Sequence, residues 1–401
     1  MNQKTLIGLA LAALFAIVAA IVLNRANAPR SESGEAATGW LAPGLREHLN
    51  DVGKVVVTGA EGKVVATLER GANGWSLAEK GGYAVDTGKL RELLLKLADA
   101  KLIEQKTANA DKYATLGVED VAGKDAKGVQ LELDGLAQPL KLIVGNTNPR
   151  GGTFVRRAGE AQSWLTSATL TVDKNTSDWL GKDLADIAAS RIESVAITHA
   201  DGKVVRAAKA AESDANFTLA DVPKGREVAS EFTVNGLAST LAGLRFDDVL
   251  PAADAAPDDK ALKARYATFD GLVVEVTAWP HEGKDYAQLS ASLDAAQADK
   301  GITAAQAKAK AEFEAAAAKE QAGTKEPDAA EAIKPLAVSD PAKDRDDRLA
   351  KLNQEVAALN ARFHGWTFVL PAYKYANIDK PLEDLLKPVE EKKAAAKKPG
   401  K

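Results

Sequence analysis

Four histidines, His48, His199, His281 and His364, are the first residues to weigh for acid–base or metal chemistry. None forms the HExxH spacing that sets paired ligands on one helix face. His199 stands in a run that reads as a hairpin turn, and His281 follows Trp279-Pro280, places where exposed polar residues are ordinary. The sequence holds no GxSxG elbow, no SxxK pair, and no GxGxxG or Walker-type loop. The best loop for an anion is Gly145-Asn146-Thr147-Asn148-Pro149-Arg150-Gly151-Gly152, whose amides and Arg150 could surround one. It leads into a strand rather than a helix, so no helix dipole would help. Its Asn, Pro and Gly are what a hairpin turn requires. Arg156-Arg157 could make a basic binding edge, but charges on an edge strand also guard against sheet-to-sheet aggregation, and that reading is preferred. Asp247-Asp248 lacks the alternating oxygens of a calcium loop and reads as a helix exit. Trp75, Trp164, Trp179, Trp279 and Trp366 fall in strand-like or helix-start settings and read as core anchors rather than a sugar-stacking platform. These patterns assign no catalytic, cofactor-binding or metal-ligating residue.

Composition narrows the classes further. The chain has 401 residues, enough for about two domains, each with its own core. It contains no cysteine, which excludes thiol catalysis, disulfides, Cys-type zinc sites and a lipidated cysteine. Net charge is −4 with Lys and Arg spread along the chain, so the concentrated basic face needed for nucleic acid is missing.

The elements that would position any site begin with Thr5–Leu23, an uncharged apolar run after Lys4. At about 1.5 Å per residue it spans roughly the 30 Å hydrocarbon core. A cleaved signal peptide is the rival, because Ala26-Asn27-Ala28 has the small-x-small form of a cleavage site. The long apolar run and Pro29 just after the cut favour an uncleaved anchor. Arg25 and Arg30 leave the positive-inside count undecided, but long domains translocate largely regardless of charge. The expectation is a single-pass inner-membrane protein with a short cytoplasmic N-terminus and a periplasmic body.

An internal repeat then sets the architecture. Val52–Val65 (VGKVVVTGAEGKVV) aligns without gaps to Ile192–Val205 (IESVAITHADGKVV), sharing Gly-Lys-Val-Val at the end. Trp75-Ser76-Leu77 and Phe217-Thr218-Leu219 follow. Next come Leu90, Leu93, Leu94 and Leu97 in one copy, and Leu237, Leu241 and Leu244 in the other, at helical spacing. Asp86 and Asn235 are placed to cap these helices, with Glu231–Val234 read as a strand. Further matches pair Tyr113-Ala114-Thr115 with Tyr266-Ala267-Thr268, Val129–Leu133 with Leu272–Val276, Leu140–Val144 with Tyr286–Leu289, and Thr153-Phe154-Val155 with Thr367-Phe368-Val369. Each copy is expected to end in a short helix, near 176–187 and near 378–386.

The resulting fold class is α+β: an N-terminal transmembrane helix, then two duplicated modules of mostly antiparallel sheet with helices. The divisions are 1–28 anchor, 29–50 tether, 51–190 first module, 191–388 second module and 389–401 low-complexity tail. The second module carries an extra stretch, 293–362, read as a projecting helical hairpin. Its first half is rich in Ala, Lys, Glu and Gln, and its second half carries a short heptad seam of Leu349, Leu352, Val356, Leu359 and Phe363. Because the first module lacks such an insert, the arm is expected to be dispensable for folding.

The Trp75-Ser76-Leu77 strand, the Leu-rich helix, Tyr113 with Leu116-Gly117, Leu142–Gly145, Phe154–Arg157 and Ser163-Trp164-Leu165 together resemble the domain of unknown function 4340 family. The resemblance is best over about 50–190 and supplies no catalytic residues. It implies a membrane segment ahead of a large soluble body, and for some members an association with ABC-type transport components. The expected function is therefore a non-catalytic accessory or scaffold protein of an envelope complex, with protein partners, no cofactor and no nucleic acid. A hydrolase with a site assembled from distant residues, and a periplasmic ligand-binding module, remain the alternatives.

Overall fold

The structure, a computed structural model, describes residues 39–321 and 334–388. The expected anchor at 5–23, most of the tether, residues 322–333 of the insert and the tail 389–401 lie outside the described residues. Among those described, no helix is long and apolar enough to cross a membrane. The fold mixes helix and sheet in the α+β manner, in two compact units. One comprises the chain up to Glu79 with Thr87–Trp179, and the other Lys80–Asp86 with the chain from Leu180 onward. The second unit thus starts earlier than residue 191 and takes in a short segment from the middle of the first.

The first unit opens with β1 (Gly39–Trp40), β2 (Lys54–Thr58), β3 (Val64–Gly71) and β4 (Gly74–Leu77); the next strand, β5 (Tyr83–Ala84), falls in the second unit. It continues with α1 (Thr87–Asp99), β6 (Lys101–Gln105), α2 (Tyr113–Leu116), β7 (Val129–Asp134), β8 (Leu140–Thr147), β9 (Thr153–Arg157) and β10 (Ser163–Thr166). Alternation places Val55 and Val57 of β2, and Leu131 and Leu133 of β7, fully in the core. The Leu90, Leu93, Leu94, Leu97 stripe of α1 is buried, as its helical spacing predicts. The stretch expected as tether is ordered from Gly39: Leu41 and Leu45 are buried, and the Leu41 N–H donates to the Ala100 carbonyl.

The second unit adds β11 (Asp183–Ala185), β12 (Ile192–Thr198), β13 (Val204–Ala208), β14 (Thr218–Leu219), α3 (Glu231–Ala238), β15 (Leu244–Arg245), β16 (Asp248–Pro251), β17 (Leu262–Thr268), β18 (Leu272–His281) and β19 (Lys284–Leu293). It closes with α4 (Ala295–Gln321), α5 (Leu336–Ser339), α6 (Pro341–Phe363), β20 (Trp366–Leu370) and α7 (Ala372–Ile378). Tyr83 packs edge-on to Phe246, Trp366 and Phe368 in its core. Glu231–Val234 is helical, not extended. The cap of α3 is Ser230, whose Oγ accepts from the Phe232 N–H, while Asn235 sits inside the helix and bonds Phe217 and Asn216. The terminal helices also differ from expectation: 176–187 holds a 3-10 turn (Thr176–Trp179) and β11, and near 378–386 α7 stops at Ile378 before a second 3-10 turn.

Strand order in the two main sheets follows one plan. The first runs β4-β3-β2-β7-β8-β9-β10-β6-β1, and the second runs β14-β13-β12-β17-β18-β19-β20-β16. Every pairing along these two orders is antiparallel. In each, a helix precedes the strand that returns beside the last hairpin: α1 before β6, α3 before β16. The hairpin equivalence of β2–β3 with β12–β13 agrees with the sequence repeat, and Val55, Val57, Val195 and Ile197 are all buried. The matches of Trp75-Ser76-Leu77 with Phe217-Thr218-Leu219 and of the two Leu-bearing helices also hold, but those of the later strands are out by one. The place of β7 is taken by β17, not β18; that of β8 by β18; that of β9 by β19; and that of β10 by β20. Tyr113 lies in a helical turn and Tyr266 in a strand, so they are not equivalent. Antiparallel strands buried on one face all share a period of two, and only pairing distinguishes one from the next.

The insert enters between β19 and β20, where the first unit has a tight turn between β9 and β10. It does not simply project. In α6, Leu352, Leu359 and Phe363 are buried and Leu349 and Val356 are half-buried. β20 pairs with only Asp285–Ala287 of β19. Farther along, the Asn360 amide takes a strand's place: its Nδ2 donates to the Ala291 carbonyl, and its Oδ1 accepts from the Ala291 N–H, both at 2.8 Å.

Candidate functional site

A cleft in the second unit lies between α4, α6 and the sheet end at β12, β13 and the β17–β18 turn, with a volume of about 910 Å³. Gly271 in that turn lets α4 approach: a Cβ there would lie 2.6 Å from the Ala298 nitrogen and the Asp294 oxygen. At the floor, the Arg191 guanidinium is gripped on two sides. Its Nη1 and Nη2 donate to the Glu355 carboxylate at 2.6 and 2.8 Å, and its Nε donates to Asp270 Oδ2 at 2.8 Å. The Glu355 hydrogen bonds raise its pKa above the usual arginine value, against the opposing pull of burial, with Asp270 adding to the rise. Phe269, Ile302 and Leu352 supply apolar wall, while Lys308, Lys351, Glu212 and Glu312 stand on the rim. The lining contains no His, Ser, Thr or Tyr side chain to pair with those carboxylates as nucleophile and base. The cleft can hold a ligand of mixed charge; its strongest charges already neutralise one another.

At the mouth of this cleft Asp344 joins the two long helices, accepting from Arg348 Nε at 2.8 Å and from Gln306 Nε2 at 3.0 Å. Arg348 holds its carboxyl below the usual carboxylate range, burial opposes this, and Gln306 assists. Since the folded value lies below the unfolded one of about 3.9, the stabilisation is present above that pH and disappears as pH falls through the folded value. Asp344→Asn is expected to flatten the loss of helicity between about pH 4 and 2, followed by circular dichroism. An unchanged acid limb would remove Asp344 from the account.

The histidines are scattered. His48 is exposed against Asp51, His281 is exposed at the end of β18, and His364 is exposed just after α6. His199 is largely enclosed, facing the Lys380 carbonyl at 3.2 Å and Asp379 at 3.4 Å. Among the described residues no group of three His, Cys, Asp or Glu is arranged to hold a metal ion. Asp248 forms an ion pair with Lys80 at 2.5 Å, on β16 rather than at a helix exit. Trp179 and Trp279 are fully buried, while Trp75, Trp164 and Trp366 are half-buried.

A residue that no sequence pattern flagged is Lys374, almost wholly buried on α7. Burial lowers its pKa, with Asp186 opposing, which in a cleft would suggest a nucleophile. Here Nζ donates to the carbonyls of Ala242 at 2.6 Å, Thr240 at 3.0 Å and Ser239 at 3.4 Å, just past the end of α3. All three ammonium protons have acceptors, so the role is to cap a helix end.

The family model described as Domain of unknown function (DUF4340) matches residues 75–264. That stretch belongs to the DUF4340 family. No curated protein and no solved structure matches the chain. The DUF4340 span runs from β4 into β17, so Arg191 falls inside it while Asp270 and Glu355 lie beyond.

The 145–152 stretch and Arg156 both lie within the DUF4340 span and both are structural. Of the 145–152 stretch, Gly145–Thr147 belong to β8 and the rest is its connection to β9, closed by the Asn148 N–H to the Gly152 carbonyl and the Gly151 N–H to the Asn148 carbonyl. Gly152 has φ +84°, and a Cβ there would lie 2.0 Å from the Thr166 oxygen. Gly152→Ala is therefore expected to destabilise the first unit by more than about 1 kcal/mol, measurable by urea unfolding; a neutral effect would mean that β10 shifts freely. Arg156 is not on an edge, since β9 runs between β8 and β10, and the residue is only 3% exposed. Its guanidinium donates to the Val118 carbonyl, the Glu160 carbonyl and Asp120, and stacks 4.5 Å above the Tyr113 ring. The edge-guard reading fails because the chain adds a strand beyond β9. Sequence alone could not show that.

Proposed function

We propose that this chain is a membrane-tethered, non-catalytic accessory or scaffold protein of a bacterial envelope complex. In this reading Thr5–Leu23 is the single span and the two units lie on the periplasmic side, as products of one duplicated module. The observation that carries the contact role is α4, a helix of 27 residues in which Ala298 and Ile302 are the buried residues of the part whose side chains are described. Its outer turns offer Lys308, Lys310, Glu312 and Glu314 to solvent. A long helix with so little buried area is held by its Ala-rich propensity and suits contact with another chain. The polar side chains that first invite a catalytic reading support the same view, because Arg156, Arg191 and Lys374 are spent on internal bonds. Resemblance to DUF4340 members adds ABC-type transport as the setting for such a complex.

The test is capture from detergent-extracted membranes with the full chain and with a variant reversing the four charges of these outer turns of α4. The variant should melt like the parent and lose a specific co-purifying protein. Identical capture by both would remove the contact role. The cleft above Arg191 favours a second reading, a ligand-binding module, which predicts that Arg191→Met changes retention of a small molecule rather than of a protein.

A further inference from the structure

Trp40 stands on β1, the edge strand of the first unit's sheet, and is 45% exposed. The backbone beneath it is firmly held. Its neighbour Leu41 is buried, bonds Ala100 through its N–H, and accepts from Arg157 Nη2 at 2.8 Å. Directly across from Trp40 is Lys101 of β6, whose Nζ lies 5.0 Å above the indole ring. Two residues on, at a register shift in β6, Ile103 is 43% exposed. An indole and a branched aliphatic are thus left in water on a rigid edge, beside a long side chain able to keep its charge hydrated. That combination matches the interfacial zone of a bilayer, where Trp seats its ring and Lys snorkels to the headgroups.

Chain length points to the same occupant. Residues 24–38 separate the apolar run Thr5–Leu23 from the start of β1. That many residues can span at most about 50 Å even when fully extended, and they include Arg25 and Arg30. A second copy of the chain is a poorer occupant, because β1 is only two residues long and offers almost no ladder for strand addition. We propose that the β1–β6 edge, led by Trp40 with Lys101 and Ile103, rests in the headgroup region of an anionic bilayer. This orients the first unit relative to the membrane, and it rests on the anchored reading above.

The absence of cysteine makes the test clean. The full chain carrying Ile103→Cys, labelled with an environment-sensitive fluorophore, is reconstituted into vesicles of phosphatidylglycerol and phosphatidylcholine containing a headgroup-region spin-labelled quencher. Lys101→Cys is a second reporter should the first fold poorly, and Lys203→Cys, on the β12–β13 turn of the second unit, is the comparison. The label at 103 is expected to shift to shorter wavelength and to be quenched at least about twofold more than at 203. Adding Trp40→Ser should reverse most of that difference. A water-like, unquenched label on protein that floats with the vesicles overturns the inference and leaves the anchor standing. Failure to float overturns the anchor, and the inference with it. A shift without lipid quenching that grows with protein concentration would identify a second copy as the occupant and also overturn it.

Discussion

Replacing residues 295–362 by a short Gly/Ser link is expected to unfold the second unit. Read from sequence, this stretch is an arm whose removal leaves the core intact. Its two long helices instead supply Ile302, Leu352 and Leu359 to the interior. At roughly 1.5–3 kcal/mol for each large apolar side chain, their loss removes on the order of 5–9 kcal/mol. That is comparable to the entire stability of an ordinary domain, about 5–15 kcal/mol. The deletion also strips the edge of β19, where Asn360 meets both backbone groups of Ala291. Asn360→Leu isolates this second contribution: it leaves a donor and an acceptor unmet and should destabilise by about 1–3 kcal/mol. Thermal and urea unfolding followed in the near-ultraviolet would report both. A deletion protein whose second unit still melts cooperatively near the parent temperature would show that α6 is an accessory after all.

Arg156→Leu should strongly destabilise the first unit. The ion pair with Asp120 contributes little by itself, because the Asp120 side chain is 74% exposed and water screens it. The cost comes from the carbonyls of Val118 and Glu160, which lose their donors in a mostly closed environment, and from the stacking on Tyr113. Two unmet acceptors and a lost cation–π contact amount to roughly 2–4 kcal/mol. Lysine cannot rescue it, since one ammonium does not reach three acceptors that a planar fork meets at once. Equilibrium unfolding of Arg156→Leu and Arg156→Lys beside the parent checks this, and a loss below about 1 kcal/mol for the leucine variant would contradict it.

The sequence by itself determined what depends on local period. The alternation in Lys54–Thr58 and Ile192–Thr198, the turn-forming Gly62 and Gly202, and the Leu90–Leu97 stripe each specify one element and its buried face. The DUF4340 resemblance was likewise legible in strand-end motifs. Tertiary structure decided whatever depends on who pairs with whom. VQLEL and LVVEV look alike because both are short, mostly apolar runs with one Glu in the same place, yet they occupy different places in their sheets. Arg156 looked like an edge charge because nothing local announces that β10 covers β9. Lys374 carried no signal at all, since its three acceptors come from the turn after a helix more than a hundred residues earlier in the chain. The Arg191 cleft joins residues from a turn before β12, a loop after β17 and a distant helix, and no spacing rule links 191, 270 and 355. Periodicity records how a segment meets water and core, whereas a site is made by contacts across the chain, which only the folded sheet brings together.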